Sequence, residues 1–302
     1  MTIAAIEAGG TKFVCGLLRA GGHAFSPPAV LAKTSIPTTS PEETLHAVAA
    51  FFEGQAKIHG RPDVAGIGSF GPVELKPSSP AWGRVTSTPK PGWSGADIAG
   101  FFMKSLGVAV AFDTDVNAAA YGEYLWGSAR GLKDFVYLTV GTGIGGGVFS
   151  GGGLVHGLSH PELGHLKLAR EADDPFPGLC PYHKDCLEGL ASGPAIEARW
   201  GKPGRELPEG HPAWELEARY LARAVAAYAC VLSPERVLLG GGVGMRPGLA
   251  ERVAVLLGEE LSGYLPALSD PVRLAAYVAR PGLGADAGLF GSAAIAMRMP
   301  ED

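Results

Sequence analysis

Apolar and polar positions change period several times along this chain, and each change marks an element. Residues 2–8 form a short apolar run ending in Gly9-Gly10, and a second run covers 13–19. Together they predict strand–turn–strand, with Gly9, Gly10, Thr11 and Lys12 in the turn. A third strand is predicted over 29–36. Helical spacing over 41–58 (Leu45, Val48, Ala49, Phe52) follows Ser40-Pro41-Glu42, a cap with Pro at the first position. Next come a strand over 64–70, a long loop over 72–95 rich in Pro, Ser, Gly and Trp, a helix over 98–106 and a buried strand over 108–112. The run DTDVN, 113–117, opens a helix reaching about Trp126. Residues 135–140 and 144–149 predict a second hairpin. After an irregular stretch the chain reads as helical over 214–232, 246–260 and 285–297, with a strand over 237–239 that runs into Gly240–Gly244. No linker of disordered composition intervenes, so a domain boundary is expected at the strand-to-helix junction near Asp113.

Composition narrows the classes. Of 302 residues, 46% are hydrophobic and 18% charged, enough for a sizeable core and too apolar for disorder. A net charge of -5 disfavours nucleic acid and anionic membranes as partners. It leaves phosphates open, because backbone amides bind anions locally. No apolar run approaches the roughly 20 residues of a membrane span. The start, MTIAAIEAGGTK, lacks a signal peptide's basic and apolar regions, so a cytoplasmic location is expected. Four cysteines in such a chain are no disulfide framework. Cys180 and Cys186 read better as metal ligands, and Cys15 and Cys230, in apolar runs, as buried inert thiols. The 45 glycines, about twice ordinary usage, come in bursts that allow main chain to approach a ligand.

Five stretches carry chemistry. In IEAGGTK, 6–12, glycines after a strand can form an anion-binding nest by taking positive φ, and Thr11 adds a hydroxyl; an ordinary hairpin turn is the alternative. TVGTGIGGG, 139–147, matches G-x-G-x-x-G at Gly141, Gly143 and Gly146, but a strand follows where a dinucleotide fingerprint needs a helix. That leaves a second strand–turn–strand phosphate loop with Thr142 as its hydroxyl. Two such hairpins indicate a duplicated phosphate-gripping fold. In DTDVN a carboxylate either caps the helix or serves as general base in phosphoryl transfer. Cys180, His183 and Cys186 in C-x2-H-x2-C spacing, with a histidine as fourth ligand, make a closed tetrahedral zinc site; His165 is preferred, with His156 and His160 as alternatives. LLGGGVG, 238–244, offers close approach to a flat base or simply a tight strand–helix turn.

These residues resemble the ROK family (repressors, open reading frames and sugar kinases) of the actin-like ATPase superfamily, over nearly the whole chain. Residues 6–12 and 139–147 look like its two phosphate loops, with Glu7 where the family usually has Asp. Asp115 falls on its catalytic Asp. Glu162-Leu-Gly-His165 fits E-x-G-H, whose Glu binds sugar hydroxyls and whose His binds sugar and zinc. The metal motif, usually C-x-C-G-x-x-G-C-x-E, is one residue shorter here, with His183 replacing a Cys, and Glu188 keeps the terminal Glu, a second sugar contact. That variant, with GSFGP (68–72) and TSTPKPGW (86–93), resembles the bacterial fructokinase branch; Thr114 stands where family glucokinases carry Asn.

The resemblance implies an α/β protein of two actin-like (ribonuclease H-like) domains flanking a cleft, with mixed sheets and helices on both faces. The smaller would hold 1–112 plus about 288–302, the larger 113–287 with the zinc loop. It implies an ATP-dependent fructokinase acting on the 6-hydroxyl, with ATP phosphates held by Gly9, Gly10, Thr11, Lys12, Gly141, Thr142 and Gly143 and adenosine against Gly240, Gly241 and Gly242. Mg²⁺ would be held through water by Glu7, and Zn²⁺ by His165, Cys180, His183 and Cys186. Sugar would meet Gly71, Pro72, Thr114, Asp115, Glu162, His165 and Glu188. A homodimer is implied too. Stripping the metal is expected to abolish sugar affinity before ATP binding. Alternatives within the family are a kinase of mannose, glucose or an N-acetylhexosamine, a non-catalytic sugar sensor, and a repressor. The last carries an N-terminal helix-turn-helix for which a first strand at about Thr2 leaves no room.

Overall fold

The computed structural model describes residues 1–22 and 26–298. Packing divides the chain into two units. The first holds Met1–Gly131, Leu154–Pro161 and the chain from Ala285; the second holds Leu132–Gly153 and Glu162–Gly284.

The first unit is built on a five-stranded sheet of β1 (Thr2–Ala8), β2 (Lys12–Arg19), β3 (Ala29–Pro37), β4 (Val64–Ser69) and β5 (Ala109–Thr114), in the order β3-β2-β1-β4-β5. β1–β2 and β2–β3 pair antiparallel, β1–β4 and β4–β5 parallel. Successive side chains on a strand point to opposite faces. Ala4, Ile6 and Ala8 thus join one core with Leu45, Val48 and Phe52 of α1 (Pro41–His59) and Phe102 of α2 (Ile98–Leu106). Ile3 and Ala5 join another with Leu289, Ala293 and Ala296. Coverage on both faces is why β1 reads as a continuous apolar run and not as an alternation. α3 (Asp115–Trp126) packs on the final helix, Ala287–Met297. The two backbones come close where Gly122 faces Gly291: a Cβ on Gly122 would lie 2.9 Å from the Gly291 Cα.

In the second unit β6 (Phe135–Val140), β7 (Ile144–Ser150), β8 (Gly153–Leu154), β9 (Arg236–Gly240) and β10 (Val278–Ala279) form a sheet ordered β10-β9-β6-β7-β8. β6–β7 is antiparallel; β6–β9 and β9–β10 are parallel. The helices are α4 (Leu187–Ala191), α5 (Gly193–Trp200), α6 (Pro212–Leu232), α7 (Gly241–Gly244), α8 (Leu249–Leu261) and α9 (Pro271–Tyr277). The final helix of the first unit is then α10. The topology repeats the first unit: a hairpin with a glycine turn, then a parallel strand beside its first member. Two mixed sheets with helices make this a two-domain actin-like α/β fold.

The packing units do not divide at the expected 112/113 junction. α3 belongs to the first unit because it packs on α10 and β4. Nor does the helix open at Asp113: Asp113 and Thr114 still pair with Gly68 and Ser69 at the end of β5. Cys15 is buried as expected, but Cys230 is exposed. The long loop expected over 72–95 is present and carries a buried anchor. Trp93 is wholly buried against Phe13 and Phe70, with ring centroids 5.6 and 5.3 Å away, and its indole N–H donates to the Thr39 carbonyl at 2.8 Å. The last four residues of the returning segment expected over about 288–302 lie outside the described residues. Among the described residues no helix is long and apolar enough to cross a membrane.

Candidate active site

In the first unit the turn between β1 and β2 is closed by the Gly9 N–H donating to the Lys12 carbonyl at 3.0 Å. The end of β3 braces it. Thr38 Oγ1 donates to the Gly9 carbonyl at 2.7 Å, and the Thr38 N–H donates to the Thr11 carbonyl at 3.0 Å. Lys12 is already the first residue of β2. Neither Gly9 nor Gly10 takes the left-handed φ expected of a nest. Glycine is required at position 9 for another reason: a Cβ would lie 2.7 Å from the Lys12 carbonyl oxygen. At Gly10 a Cβ would meet nothing, so this edge of the turn is open to a ligand.

Glu7, on β1, points toward Gly288, whose missing side chain makes room for it. Burial pushes its carboxyl up to about 7, with Lys12 opposing and Asp286 adding to the rise. Its Oε2 is buried without a partner, which leaves it able to accept from the water of a hydrated cation. Asp115 is the first residue of α3, and Thr114, not Asp115, is the cap: Thr114 Oγ1 accepts from the Asn117 N–H at 3.1 Å. Thr114 is buried, and its hydroxyl oxygen serves the helix. Asp115 Oδ1 accepts from the Val116 N–H at 2.9 Å.

Residues 154–161 pack with the first unit and bring two histidines to it. His156 Nε2 lies 2.8 Å from Asp113 Oδ2, and that hydrogen bond raises its pKa. The other Asp113 oxygen accepts from the Thr114 N–H at 2.7 Å and Asn117 Nδ2 at 2.8 Å. His160 Nε2 accepts from the Val73 N–H at 3.2 Å, and Gly71 lies against its ring. Burial lowers the pKa of His160, which keeps that nitrogen an acceptor. Pro72 is held through its carbonyl by the Thr86 N–H at 2.8 Å and Thr86 Oγ1 at 3.0 Å. Both histidines are therefore engaged away from the metal motif.

In the second unit the turn between β6 and β7 is closed by the Gly141 N–H donating to the Gly143 carbonyl at 2.9 Å. The Gly193 N–H donates to the Gly141 carbonyl at 2.7 Å, and Glu188 Oε2 accepts from the Ile144 N–H at 2.9 Å. Thr142 stays exposed at the tip. The third glycine turn adjoins the second, since a Cβ on Gly141 would lie 3.9 Å from the Gly242 nitrogen. Gly241 does take a left-handed φ of 80°, a conformation open mainly to glycine. Gly240 lies against the Tyr137 ring, and Gly242 faces open space.

The turn Leu163–His165 lies on β7: Gly164 packs against the Ile144 backbone, and the Leu163 carbonyl accepts from Tyr228 OH at 2.8 Å. This explains the glycine of Glu162-Leu-Gly-His165. Glu162 reaches solvent, yet the protein around its carboxyl strips away enough water to push it up to about 7; the Glu188 charge adds to this. The metal-motif atoms converge. One ligand atom from each of His165, Cys180, His183 and Cys186 lies within 4.8 Å of all the others. His165 Nδ1 is 3.7 Å from Cys180 Sγ and 3.6 Å from Cys186 Sγ, and His183 Nδ1 is 3.8 Å from Cys180 Sγ. A tetrahedral zinc with Zn–S of about 2.3 Å and Zn–N of about 2.0–2.1 Å has S···N edges of roughly 3.5–3.6 Å. The donor set thus fits zinc. The His183 N–H also donates to Cys180 Sγ at 3.4 Å.

Sequence patterns missed the other anchor of this loop. Asp174 is buried, 3.2 Å from Arg199 NH2, and accepts from Tyr220 OH at 2.6 Å; Arg199 in turn stacks 4.5 Å over Phe176. An Asp in a polar loop carries no sign of a partner that far along the chain. The histidine anchors of 154–161 are likewise absent from the sequence patterns, which offer both residues only as metal ligands. The structure gathers Gly141–Gly143, Gly240–Gly242, Glu162, His165, Glu188 and the metal cluster in one unit. Glu7, Gly9–Lys12, Gly71, Pro72, Thr114 and Asp115 fall in the other.

Fold and site together define a sugar-kinase-like member of the actin-like class, and comparison with known proteins gives the family. The ROK family model matches residues 3–299. A fructokinase of Zymomonas mobilis is 42% identical over 97% of this chain and 95% of its own length. A fructokinase of Pediococcus pentosaceus is 39% identical over 98% of each. Among solved structures, a ROK family glucokinase from Streptomyces griseus, in complex with glucose and AMPPNP, superposes with a TM-score of 0.76 at 25% identity, covering 99% of this chain and 100% of its own. A ROK hexokinase from Thermus thermophilus gives 0.75 at 29% identity, covering 99% of this chain and 98% of its own. The chain belongs to the ROK family.

Proposed function

We propose that this protein is a fructokinase, a phosphotransferase that moves the γ-phosphate of ATP to the 6-hydroxyl of fructose. The observation that carries the substrate is similarity to fructokinases at 39% and 42% identity over nearly the whole chain. The geometry supports the chemistry. Gly9–Lys12 and Gly141–Gly143 offer backbone N–H groups and threonine hydroxyls to the phosphates, and Gly240–Gly242 offers open main chain to the adenosine. Asp115, in the first turn of α3 beside the Thr114 cap and with Oδ1 accepting from the Val116 N–H, accepts the proton of the 6-hydroxyl as that oxygen attacks phosphorus. Glu162, His165 and Glu188 of the second unit, and Gly71, Pro72 and Thr114 of the first, are the residues read as sugar contacts.

Glu7 would hold Mg²⁺ through water; its partnerless buried oxygen supports that role. When bound, the cation supplies charge neutralisation on the phosphates. His165, Cys180, His183 and Cys186 would hold Zn²⁺, whose part is to fold a loop too polar to fold alone. Homodimerisation and a cytoplasmic location belong to the same reading; the first rests on the family resemblance. A coupled ADP-release assay across fructose, mannose, glucose and N-acetylmannosamine tests it. The highest kcat/KM is expected for fructose. A preference for another hexose overturns the substrate, and no ADP release with any sugar overturns the kinase.

A further inference from the structure

The residue expected to touch the sugar from the metal loop also grips the second glycine turn. Glu188 Oε2 accepts from the Ile144 N–H at 2.9 Å, on the strand side of that turn. The turn is shaped around it: a Cβ on Gly143 would lie 2.7 Å from the same oxygen. The other end of the turn is tied to the same segment, because the Gly193 N–H donates to the Gly141 carbonyl at 2.7 Å. Glu188 lies in the first turn of the short helix α4, and Gly193 follows its C-cap, Ser192, whose N–H donates to the Glu188 carbonyl at 3.1 Å. The residue capping the start of α4 is Cys186, one of the four converging ligands. A short, stiff path therefore runs from the metal cluster through α4 to both ends of the turn 141–144.

We propose that Glu188 is a positioning residue for the nucleotide's phosphates, and that the metal loop, through it, sets nucleotide affinity as well as sugar affinity. The proposal rests on reading 141–144 as a phosphate turn. It replaces the expectation that metal removal spares ATP binding. A hydrogen bond from a backbone N–H to a carboxylate fixes where the neighbouring amides point, and leaving that N–H without its partner weakens binding that depends on them by about 10- to 100-fold.

The test uses the full chain with its metal, Mg²⁺, AMP-PNP as the nucleotide probe and no sugar, with affinity read by calorimetry. Glu188→Ala is expected to bind AMP-PNP about 10- to 100-fold more weakly. Glu188→Gln keeps a side-chain oxygen for Ile144 and is expected to hold AMP-PNP within about threefold of the parent while its KM for fructose rises. Chelation of the parent should lower AMP-PNP affinity by a similar factor, and chelation of Glu188→Ala should add little, since one path is broken twice. AMP-PNP affinity unchanged in Glu188→Ala, or equal losses in the Ala and Gln variants, overturns the positioning role. Affinity unchanged on chelation overturns the part given to the metal loop. A parent protein that binds no AMP-PNP would instead sink the kinase reading itself. A thermal melt of each variant separates misfolding from the specific effect, because Glu188→Gln serves as the folded control at the same position.

Discussion

The two glycine–threonine turns share a sequence pattern and differ in what holds them. Gly9–Lys12 is braced by Thr38, at the end of a strand that already pairs with the turn's own strand. Gly141–Ile144 is braced by Glu188 and Gly193, from a segment that converges on two cysteines and two histidines. The first turn is thus supported by regular sheet, formed with the strands themselves. The second depends on an irregular loop that cannot hold its shape by hydrogen-bonded periodicity. A turn motif specifies a backbone conformation; it does not specify what the rest of the fold must do to keep it there.

Removing the metal should therefore break one half of the comparison and leave the other. With a chelator, or in Cys186→Ser, amide hydrogen exchange over 162–190 is expected to lose its protection, and fructose phosphorylation to be abolished, while β1, β2 and β4 exchange as slowly as before. Uniform loss of protection across both sheets would mean the units do not differ in this way. The next effect in size lies wholly in the first unit. Asp115→Asn keeps the geometry of α3, since Thr114 carries the cap. It should lower kcat by roughly 10²–10⁴-fold, about 3–5 kcal/mol, with fructose affinity, metal content and melting temperature unchanged. Unchanged turnover would remove Asp115 as the base.

The same contrast decides how much could be read beforehand. Strands over 2–8 and 135–140 and the helix over 98–106 emerged with the predicted bounds, because both strands are short apolar runs buried on both faces and ended by turn residues, and the helix buries residues at helical spacing. The glycine turns were found where expected, yet for a partly wrong reason: close contacts at Gly9 and Gly143 require the missing Cβ, and only Gly241 needs a left-handed backbone. The ligand set was legible because C-x2-H-x2-C is local. α5 and α9 were not predicted, although Ser192 and Asp270 cap them and each has Pro in its first turn. The histidine anchors on Asp113 and Val73 and the Asp174–Arg199–Tyr220 cluster were invisible for a deeper reason. Pairings made 25 or more positions apart leave no period in the chain.

A titration should sharpen the contrast within the first unit. Glu7 has a folded pKa of about 7 against an ordinary 4.5, chiefly through burial. The folded protein thus holds that proton more tightly than the unfolded chain, and stability is lost as pH rises from about 4.5 through about 7. At 1.36 kcal/mol per pH unit the loss reaches at most about 3 kcal/mol. In Mg²⁺-free protein, Glu7→Gln should be the more stable form at pH 8 by an amount that shrinks toward pH 5, measured by urea denaturation at both values. A variant that is no more stable at pH 8 would show that the buried carboxylate has a partner after all. With Mg²⁺ and ATP present the order of activity should reverse, since Gln brings no charge to the cation.

The smallest effect tests the bracing itself. Thr38→Val removes the hydroxyl that donates to the Gly9 carbonyl and keeps the side chain's shape and the backbone hydrogen bond to Thr11. One neutral hydrogen bond at a half-buried position is worth about 1 kcal/mol, so AMP-PNP affinity should fall about three- to tenfold. The informative quantity is how that loss responds to the metal. If the first turn is supported by its own sheet, the factor measured for Thr38→Val will be the same with metal bound and with metal chelated, because distant, unshared supports add. Glu188→Ala should behave in the opposite way, its effect fading once the loop has already been loosened. A Thr38→Val effect that also disappears on chelation would mean that both turns answer to the metal loop, and that their difference in bracing has no mechanical consequence.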